Sequence, residues 1–152
     1  MEDYIIFTIG DNYYALSVAS IQRIIQVPSV TAIPNAHPMV EGMMSYEDRV
    51  IKVANFRAMM GMESFEESAT GKSQKLLIYQ TENAFFGIKV DQIEDIKSLD
   101  CSTLKHVDRL EANVSFVEMN GVIEIDDKLV NVIKSVTLPM KEREYNGNIN
   151  GE

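Results

Sequence analysis

The sequence predicts an all-β protein that folds as two small closed barrels. Apolar and polar residues alternate with the period of β-strands over most of the 152 residues. Short loops containing Gly, Asn or Asp separate these runs and are typical of hairpins. The pattern of the first half then occurs again in the second half. Two copies of a few short strands favour closed barrels over one open sheet, because closure removes exposed sheet edges.

The first half opens with a predicted hairpin. Its two strands, Tyr4–Ile9 and Tyr13–Val18, are rich in β-branched and aromatic residues. The loop between them, Gly10-Asp11-Asn12, has the composition of a hairpin turn. We therefore expect these strands to pair directly with each other.

Few segments predict anything other than strands. The segment His37–Glu41 is compatible with one helical turn, and Asn55–Met60 predicts a short helix that begins at an Asn cap and ends at a glycine. We interpret Glu63–Ser73 as a polar loop between the two halves. The polar, glycine-containing segment from Lys141 to Glu152 predicts a disordered tail.

The second half repeats the first at two offsets. At an offset of 72 residues Tyr13 aligns with Phe85, and at an offset of 79 residues Gly42 aligns with Gly121 and Val53 with Val132. We predict one domain over residues 1–140 that consists of two duplicated barrel subdomains. The repeat halves cover about residues 4–62 and 75–138, and an exchange of strands between the barrels stays open.

The charge distribution argues against nucleic acid and membranes as partners. The formal net charge is −9, and the Lys and Arg residues are scattered singly, whereas phosphate binding needs clustered basic residues. No apolar stretch approaches the roughly 20 residues that span a bilayer, and the N-terminus lacks the basic start of a secretory signal. A single cysteine, Cys101, fits a reducing compartment. We expect a cytoplasmic protein with no direct membrane insertion.

The residues that commonly carry catalysis lack partners in the sequence. His37 and His106 have no ligand or acid–base partner at a suitable spacing, and Cys101, which follows Asp100, has no nearby His. The four acidic residues between Val90 and Cys101 have no metal-loop spacing, which favours a solvated face: Asp91, Glu94, Asp95 and Asp100. We predict no enzyme activity, no metal and no cofactor.

Methionines are concentrated in the first half. Six of the nine lie between residues 39 and 62: Met39, Met43, Met44, Met59, Met60 and Met62. Core packing is the favoured interpretation, and an adaptable contact surface is the alternative. Because neighbouring residues of a strand face opposite sides, Met43 and Met44 cannot both lie in one core.

Several motifs follow one another in a defined order along the chain. The opening strand pair Phe7-Thr8-Ile9-Gly10 and Tyr14-Ala15-Leu16-Ser17-Val18 is followed by Ile21-Gln22-Arg23-Ile24, Thr31-Ala32-Ile33-Pro34 and Val40-Glu41-Gly42-Met43-Met44. The second half adds the segments Phe86–Ile93 and Gly121–Ile133. In this order the motifs resemble those of the CheW-like domain family, and the resemblance covers about nine-tenths of the chain.

One family signature is changed in this sequence. The family's Asn-Leu-Arg-Gly is replaced by Ser45-Tyr46-Glu47-Asp48, and the following Pro and Asp positions hold Lys52 and Asn55. The last residue of that motif, Arg57, is retained. The resemblance to the fold survives these changes, whereas the usual partners do not follow automatically.

The resemblance implies two five-stranded SH3-like barrels around a shared core. It implies a non-enzymatic adaptor that binds the regulatory domain of a CheA-type histidine kinase and the cytoplasmic tip of a chemoreceptor, and that is recruited to membrane receptor arrays. The partner-binding residues that it implies are Ile21, Arg23, Ile24, Gly42, Glu47 and Arg57. The alternative is a divergent CheW-like scaffold for another two-component pathway, such as surface motility or pilus control.

Two of these positions carry inverted charges. In the family an acidic residue usually stands at the position of Arg23 and a basic one at that of Glu47. If the two side chains face each other, the double inversion preserves attraction, whereas either change alone would place like charges together. We therefore predict an ion pair between Arg23 and Glu47.

Overall fold

A computed structural model of the protein describes residues 1–61, 74–105 and 116–138. Met62, the predicted loop Glu63–Ser73, His106 and the predicted tail lie outside the described residues. The strands are β1 (Glu2–Ile9), β2 (Asn12–Ser17), β3 (Ile21–Gln26), β4 (Val40–Tyr46), β5 (Arg49–Asn55), β6 (Lys75–Thr81), β7 (Ala84–Val90), β8 (Gln92–Leu99), β9 (Val117–Ile125) and β10 (Lys128–Val136).

Within the described residues, helical structure is confined to short segments. Helix α1 covers Phe56–Met59, and two 3₁₀ turns cover Val18–Ser20 and Cys101–Thr103. The side chain of Asn55 caps α1 by accepting a hydrogen bond from the Ala58 N–H (3.2 Å), which confirms the predicted cap. The segment His37–Glu41 is not a helix, because the Val40 N–H donates to the His37 carbonyl in a single turn and β4 begins at Val40.

The strands form two five-stranded sheets, and each sheet takes strands from both halves of the chain. Barrel 1 has the order β8-β1-β2-β10-β9, and barrel 2 has the order β3-β6-β7-β5-β4. The all-β prediction with two five-stranded units is confirmed. Within each barrel a hairpin from one half lies between strands of the other half, so the chain crosses between barrels twice.

The residues that pair in parallel in one barrel are related to those that pair in the other by the sequence offsets of 72 and 79 residues. Ala15 of β2 pairs in parallel with Val132 of β10, and Gly87 of β7 pairs in parallel with Val53 of β5. Both sheets also carry an irregularity at the same point, between Ile6 and Phe7 where β1 pairs with β8, and between Ile21 and Arg23 where β3 pairs with β6. Each position of one barrel therefore has a defined counterpart in the other.

Backbone hydrogen bonds join the two terminal strands of each sheet through the segment that follows one of them. Thr31, downstream of β3, exchanges two 2.8 Å hydrogen bonds with Met43 of β4, and Lys105 does the same with Val122 of β9. A β-carbon added to Gly42 would lie 2.3 Å from the Thr31 carbonyl oxygen. Glycine at this position is therefore required by the close approach of the two segments.

Three apolar cores hold the molecule together. The largest lies between the barrels and includes Phe7, Tyr14, Phe56, Tyr79 and Phe86. Smaller cores fill barrel 1, around Tyr4 and Ile6, and barrel 2, around Leu76 and Ile78. Strands β1 and β6 are apolar on both faces because one face fills its own barrel and the other packs between barrels.

The methionines divide between these cores. Met44 fills barrel 2 and Met59 lies in the central core, where Met39 and Met60 also pack at the periphery. Met43 is half-buried on the opposite face of β4. The core interpretation is confirmed for Met44 and Met59.

No helix in the described part of the chain is long and apolar enough to cross a membrane.

Candidate partner-binding surface

An exposed ion pair joins the two outer strands of barrel 2. Arg23 lies on β3 and Glu47 lies in the turn between β4 and β5, and the Arg23 Nη2 and Glu47 Oε2 atoms are 3.3 Å apart. Both side chains are about half exposed (56% and 52%). The predicted ion pair is confirmed. Because β3 and β4 stand at opposite ends of the sheet order, the pair spans the seam at which the barrel closes.

Neighbouring polar contacts hold the ion pair in place. The Tyr46 hydroxyl donates to the Gln22 side-chain oxygen (2.8 Å), and the Gln22 amide donates to Gln80 on β6 (2.9 Å). The guanidinium of Arg23 lies 5.9 Å from the centre of the Tyr46 ring. These contacts connect β3, β4 and β6, so the positive charge of Arg23 is presented from an ordered surface.

An aromatic and aliphatic patch adjoins the ion pair. The Arg49 guanidinium lies 4.3 Å above the Phe85 ring, and the Phe85 and Tyr46 rings meet edge to face at 6.0 Å. Next to Arg49, Val50 is 66% exposed. A cavity of about 340 Å³ is lined by Val50, Phe85 and Leu138 among others. Charged and apolar groups together form a surface suited to a protein partner.

The turn that carries Glu47 has an unusual backbone. Glu47 and Asp48 have φ angles of 47° and 67°, in the left-handed region that normally favours glycine. Two successive residues in this region are typical of a tight type I′ hairpin turn, whose twist matches that of the flanking strands. This turn places Glu47 at the seam, where its carboxylate contacts Arg23.

The other sequence-predicted site residues lie away from this exposed pair. Ile21 and Ile24 are half-buried and pack at the edge of the central core. Gly42 is buried against the Thr31 carbonyl. The Arg57 side chain is 15% exposed and forms a 2.8 Å ion pair with Asp91. Of the six residues, the structure thus brings Arg23 and Glu47 together on the surface.

The ion pair of Asp91 connects the two barrels. Its carboxylate accepts hydrogen bonds from Arg57 of α1 and from the Gly10 N–H (2.7 Å) in the β1–β2 turn. Asp91 itself lies between β7 and β8, where the chain crosses from barrel 2 to barrel 1. The prediction that Asp91 belongs to a solvated acidic face is wrong, because Arg57 and Gly10 compensate its buried charge. Glu94, Asp95 and Asp100 are exposed as predicted.

The two described residues considered for catalysis, His37 and Cys101, contact an aromatic ring, a backbone amide and a tyrosine hydroxyl. The His37 ring lies edge-on to Phe116 at 5.9 Å, and its Nδ1 accepts a hydrogen bond from the Met39 N–H. Cys101 is exposed and lies 3.2 Å from the Tyr4 hydroxyl. Among the described residues, no group of three His, Cys, Asp or Glu side chains is placed to hold a metal ion.

Sequence reasoning missed four residues of this surface: Tyr46, Arg49, Val50 and Phe85. Tyr46 and Arg49 fall within or beside the changed signature, and their aromatic and cationic character there was the available signal. The contact between Arg49 and Phe85 joins residues far apart in sequence. It could be found only after the parallel pairing of β5 with β7 was known.

Comparisons with known proteins identify a family and a fold. A family model described as CheW-like domain matches residues 3–138. The chain is similar to the chemotaxis protein CheW of Rhizobium meliloti (20% identity over 93% of this chain and 90% of that protein). It is also similar to the chemotaxis protein CheW of Thermotoga maritima (24% identity over 82% of this chain and 78% of that protein).

A solved structure shares the fold. The crystal structure of the scaffolding protein TtCheW from Thermoanaerobacter tengcongensis superposes with a TM-score of 0.77 at 20% identity, covering 88% of this chain and 84% of that one. At this identity the similarity is evidence for the fold. It confirms the predicted pair of five-stranded SH3-like barrels.

Proposed function

Because the chain belongs to the CheW-like domain family, we propose that it is a non-enzymatic adaptor that couples chemoreceptors to a CheA-type histidine kinase in bacterial chemotaxis. The observation that carries the proposal is the exposed surface of barrel 2, where the Arg23–Glu47 pair adjoins Val50 and Phe85. Such an adaptor acts by fixing the geometry between its partners, which requires no cofactor. We place it in the cytoplasm, recruited to receptor arrays.

The surface residues have different proposed roles. Arg23 and Glu47 present charges that select a partner, and the exposed Val50 supplies apolar area beside them. Ile21 and Ile24 contribute the exposed parts of half-buried side chains. Gly42 and Arg57 support the surface from within, through the barrel closure and the Asp91 pair.

Chemotaxis is favoured over the alternative pathway. The curated relatives above are named as chemotaxis proteins, and they cover most of this chain. The changed signature around Glu47 supports an altered choice of receptor or kinase within chemotaxis. It does not require a role in surface motility or pilus control.

Calorimetry with purified partners tests the proposal. We expect micromolar binding to the regulatory domain of the CheA-type kinase from the same cell, and separate binding to a receptor cytoplasmic tip. In Val50→Glu, a charge replaces an apolar side chain on the proposed surface, and we expect at least one affinity to fall about tenfold, or about 1.4 kcal/mol.

A matched control lies at the counterpart position in barrel 1. Leu129 is 65% exposed and follows the equivalent turn, so Leu129→Glu adds the same charge at the same exposure. If only Leu129→Glu weakens binding, the surface belongs to barrel 1 and our assignment of residues is wrong. If the wild-type protein binds neither the kinase domain nor a receptor tip, the adaptor function is wrong.

A further inference from the structure

The mouth of barrel 1 contains a cavity of about 110 Å³. By the mouth we mean the end at which β8 and the β9–β10 turn meet. The cavity wall is partly apolar, with Ile6, Tyr13 and Ile125. Three acidic residues also line it, namely Glu94, Asp95 and Asp126. The site thus combines an apolar wall that includes an aromatic ring with several carboxylates.

Barrel 2 provides an internal comparison for this mouth. Asp95 pairs with Ile6 beside the irregularity of β8, as Arg23 pairs with Ile78 beside the irregularity of β3. Asp126, with a φ of 52°, opens the β9–β10 turn as Glu47, with a φ of 47°, opens the β4–β5 turn. Where barrel 2 pairs a guanidinium with a carboxylate, barrel 1 therefore has two carboxylates.

Lysines compensate this charge in part. The Lys97 ammonium lies 3.6 Å from the Asp95 carboxylate, and the Lys128 ammonium lies 5.3 Å from the Tyr13 ring centre. Within the described residues, neither Glu94 nor Asp126 has a hydrogen-bond or ion-pair partner. The barrel 2 counterpart of Glu94 is Gln22, which Tyr46 and Gln80 bind. The mouth of barrel 1 therefore keeps unpaired negative charge beside an open volume.

We propose that the mouth of barrel 1 binds an arginine side chain of a protein partner, in the position that Arg23 takes in barrel 2. The inference rests on the proposed adaptor function for the existence of such a partner. Arginine fits better than lysine, because a planar guanidinium can donate two parallel hydrogen bonds to the Asp126 carboxylate. Barrel 2 contains a guanidinium–carboxylate contact of this kind in the Arg23–Glu47 pair, whereas its Arg49 over Phe85 corresponds to Lys128 over Tyr13 in barrel 1.

Titration of the ¹⁵N-labelled protein with N-acetylarginine methylamide, followed by NMR, tests the site. The neutral citrulline analogue has nearly the same shape and serves as the matched ligand. We expect saturable shifts of the Tyr13, Asp95 and Asp126 amides at millimolar ligand. Since exposed ion pairs contribute modestly, the citrulline analogue should bind about fivefold more weakly.

Three variants sharpen the assignment. Asp126→Asn removes one carboxylate and should weaken arginine binding severalfold. Asp95→Arg should abolish it, because the introduced guanidinium would pair with Asp126 as Arg23 pairs with Glu47. Glu82→Gln, at an exposed carboxylate in the β6–β7 turn of barrel 2, should leave the titration unchanged.

The proposal is overturned if the citrulline analogue produces the same shifts, if Asp126→Asn binds as well as the wild type, or if Mg²⁺ alone saturates the same amides. In the last case the mouth is a cation site rather than a side-chain site. Each of these results leaves the adaptor function untouched, since that function depends on calorimetry with the kinase domain. Selective arginine binding that Asp95→Arg abolishes supports the proposal.

Discussion

At the residue scale, the exposed Arg23–Glu47 ion pair is the main charged contact at the seam of barrel 2. Two exposed charges 24 positions apart in the sequence meet at 3.3 Å because β3 and the β4–β5 turn face each other across the seam. An exposed pair adds only about 0–1 kcal/mol to stability. We propose that its larger effect is on partner choice, because a wrong-sign charge at a contact weakens an unsuitable complex.

A charge-reversal cycle measures this coupling. We expect Arg23→Glu and Glu47→Arg each to lower the affinity for the kinase domain or the receptor tip by about fivefold to tenfold, because each places like charges together. The double reversal restores attraction within the pair and should recover part of the loss. Calorimetry of all four proteins gives the coupling energy.

The control for this cycle is a second exposed ion pair. Lys134 and Glu118 lie 3.6 Å apart on barrel 1, with side chains 58% and 61% exposed. Lys134→Glu should leave the affinities unchanged. Strictly additive losses in the Arg23–Glu47 cycle would show that the two residues act independently.

Buried tyrosines make stability sensitive to alkaline pH. Burial raises the pKa of Tyr14 and of Tyr79, although the hydrogen bond from the Val136 N–H to the Tyr79 hydroxyl partly opposes this rise. A tyrosine in the unfolded chain loses its proton near pH 10, before the folded one does. The stability is therefore fully present below about pH 10 and is lost as the pH rises through the folded pKa values.

Urea unfolding between pH 7 and pH 11 checks this expectation. Tyr79→Phe should flatten the alkaline decline, and at pH 7 it should cost about 1–3 kcal/mol because the buried Val136 N–H loses its acceptor. Tyr14→Phe should also flatten the decline with a smaller cost at pH 7, since no backbone donor depends on its hydroxyl among the described residues. An unchanged pH dependence in both variants would contradict the assignment.

At the scale of elements, both second hairpins use acidic residues where glycine would be less strained. Glu47-Asp48 and Asp126-Asp127 have positive φ angles between 47° and 68°. A side chain in this conformation has a steric cost that glycine avoids. The register of the flanking strands nevertheless places these residues in the turn, because a slip by one residue would turn the core-facing side chains outward.

We expect Asp127→Gly to stabilise the protein by about 0.5–1 kcal/mol, since glycine suits the second position of a type I′ turn. Thermal unfolding measures the gain. The same substitution at Asp11, whose φ is not positive, should destabilise the protein because it only adds flexibility to the unfolded chain. Equal effects at the two positions would show that backbone strain is not the cause.

At the scale of the whole molecule, the exchange of strands makes the two barrels interdependent. The segment up to Gly61 contains the hairpin of barrel 1 and three strands of barrel 2, and the segment from Gln74 contains the converse. The central core takes buried residues from both segments, including Phe7 and Tyr79. Neither segment can complete a barrel or bury this core alone.

We therefore predict that fragments 1–61 and 74–138 are each unfolded alone and fold together when mixed. Circular dichroism and ¹⁵N NMR spectra of each fragment and of the mixture test this. The control is the full chain cut at a protease site introduced between Gly61 and Gln74, which should stay folded because both parts are present. Cooperative unfolding of either fragment alone would contradict the prediction.

The fold class, the internal offsets and one ion pair could be predicted from the sequence alone. Strand periodicity and the repeated spacing are local or one-dimensional signals, so the alternation around Tyr4–Ile9 and the alignment of Gly42 with Gly121 could be read directly. The Arg23–Glu47 pair was predicted because the two charges are inverted together. The alternation also showed that Met43 and Met44 could not share a core, since that depends only on the strand pleat.

Which strands share a barrel, and which residues meet across it, depends on long-range pairing that became visible in the folded molecule. Asp91 was expected to be solvated, yet it is buried because Gly10 and Arg57 reach it from segments 81 and 34 positions away. Arg49 contacts Phe85 only because β5 runs parallel to β7. Such contacts depend on long-range pairing between strands. Many alternative arrangements of the same strands would satisfy the local sequence pattern equally well. The physical reason that one arrangement prevails is the burial of both faces of β1 and β6, which requires both barrels at once.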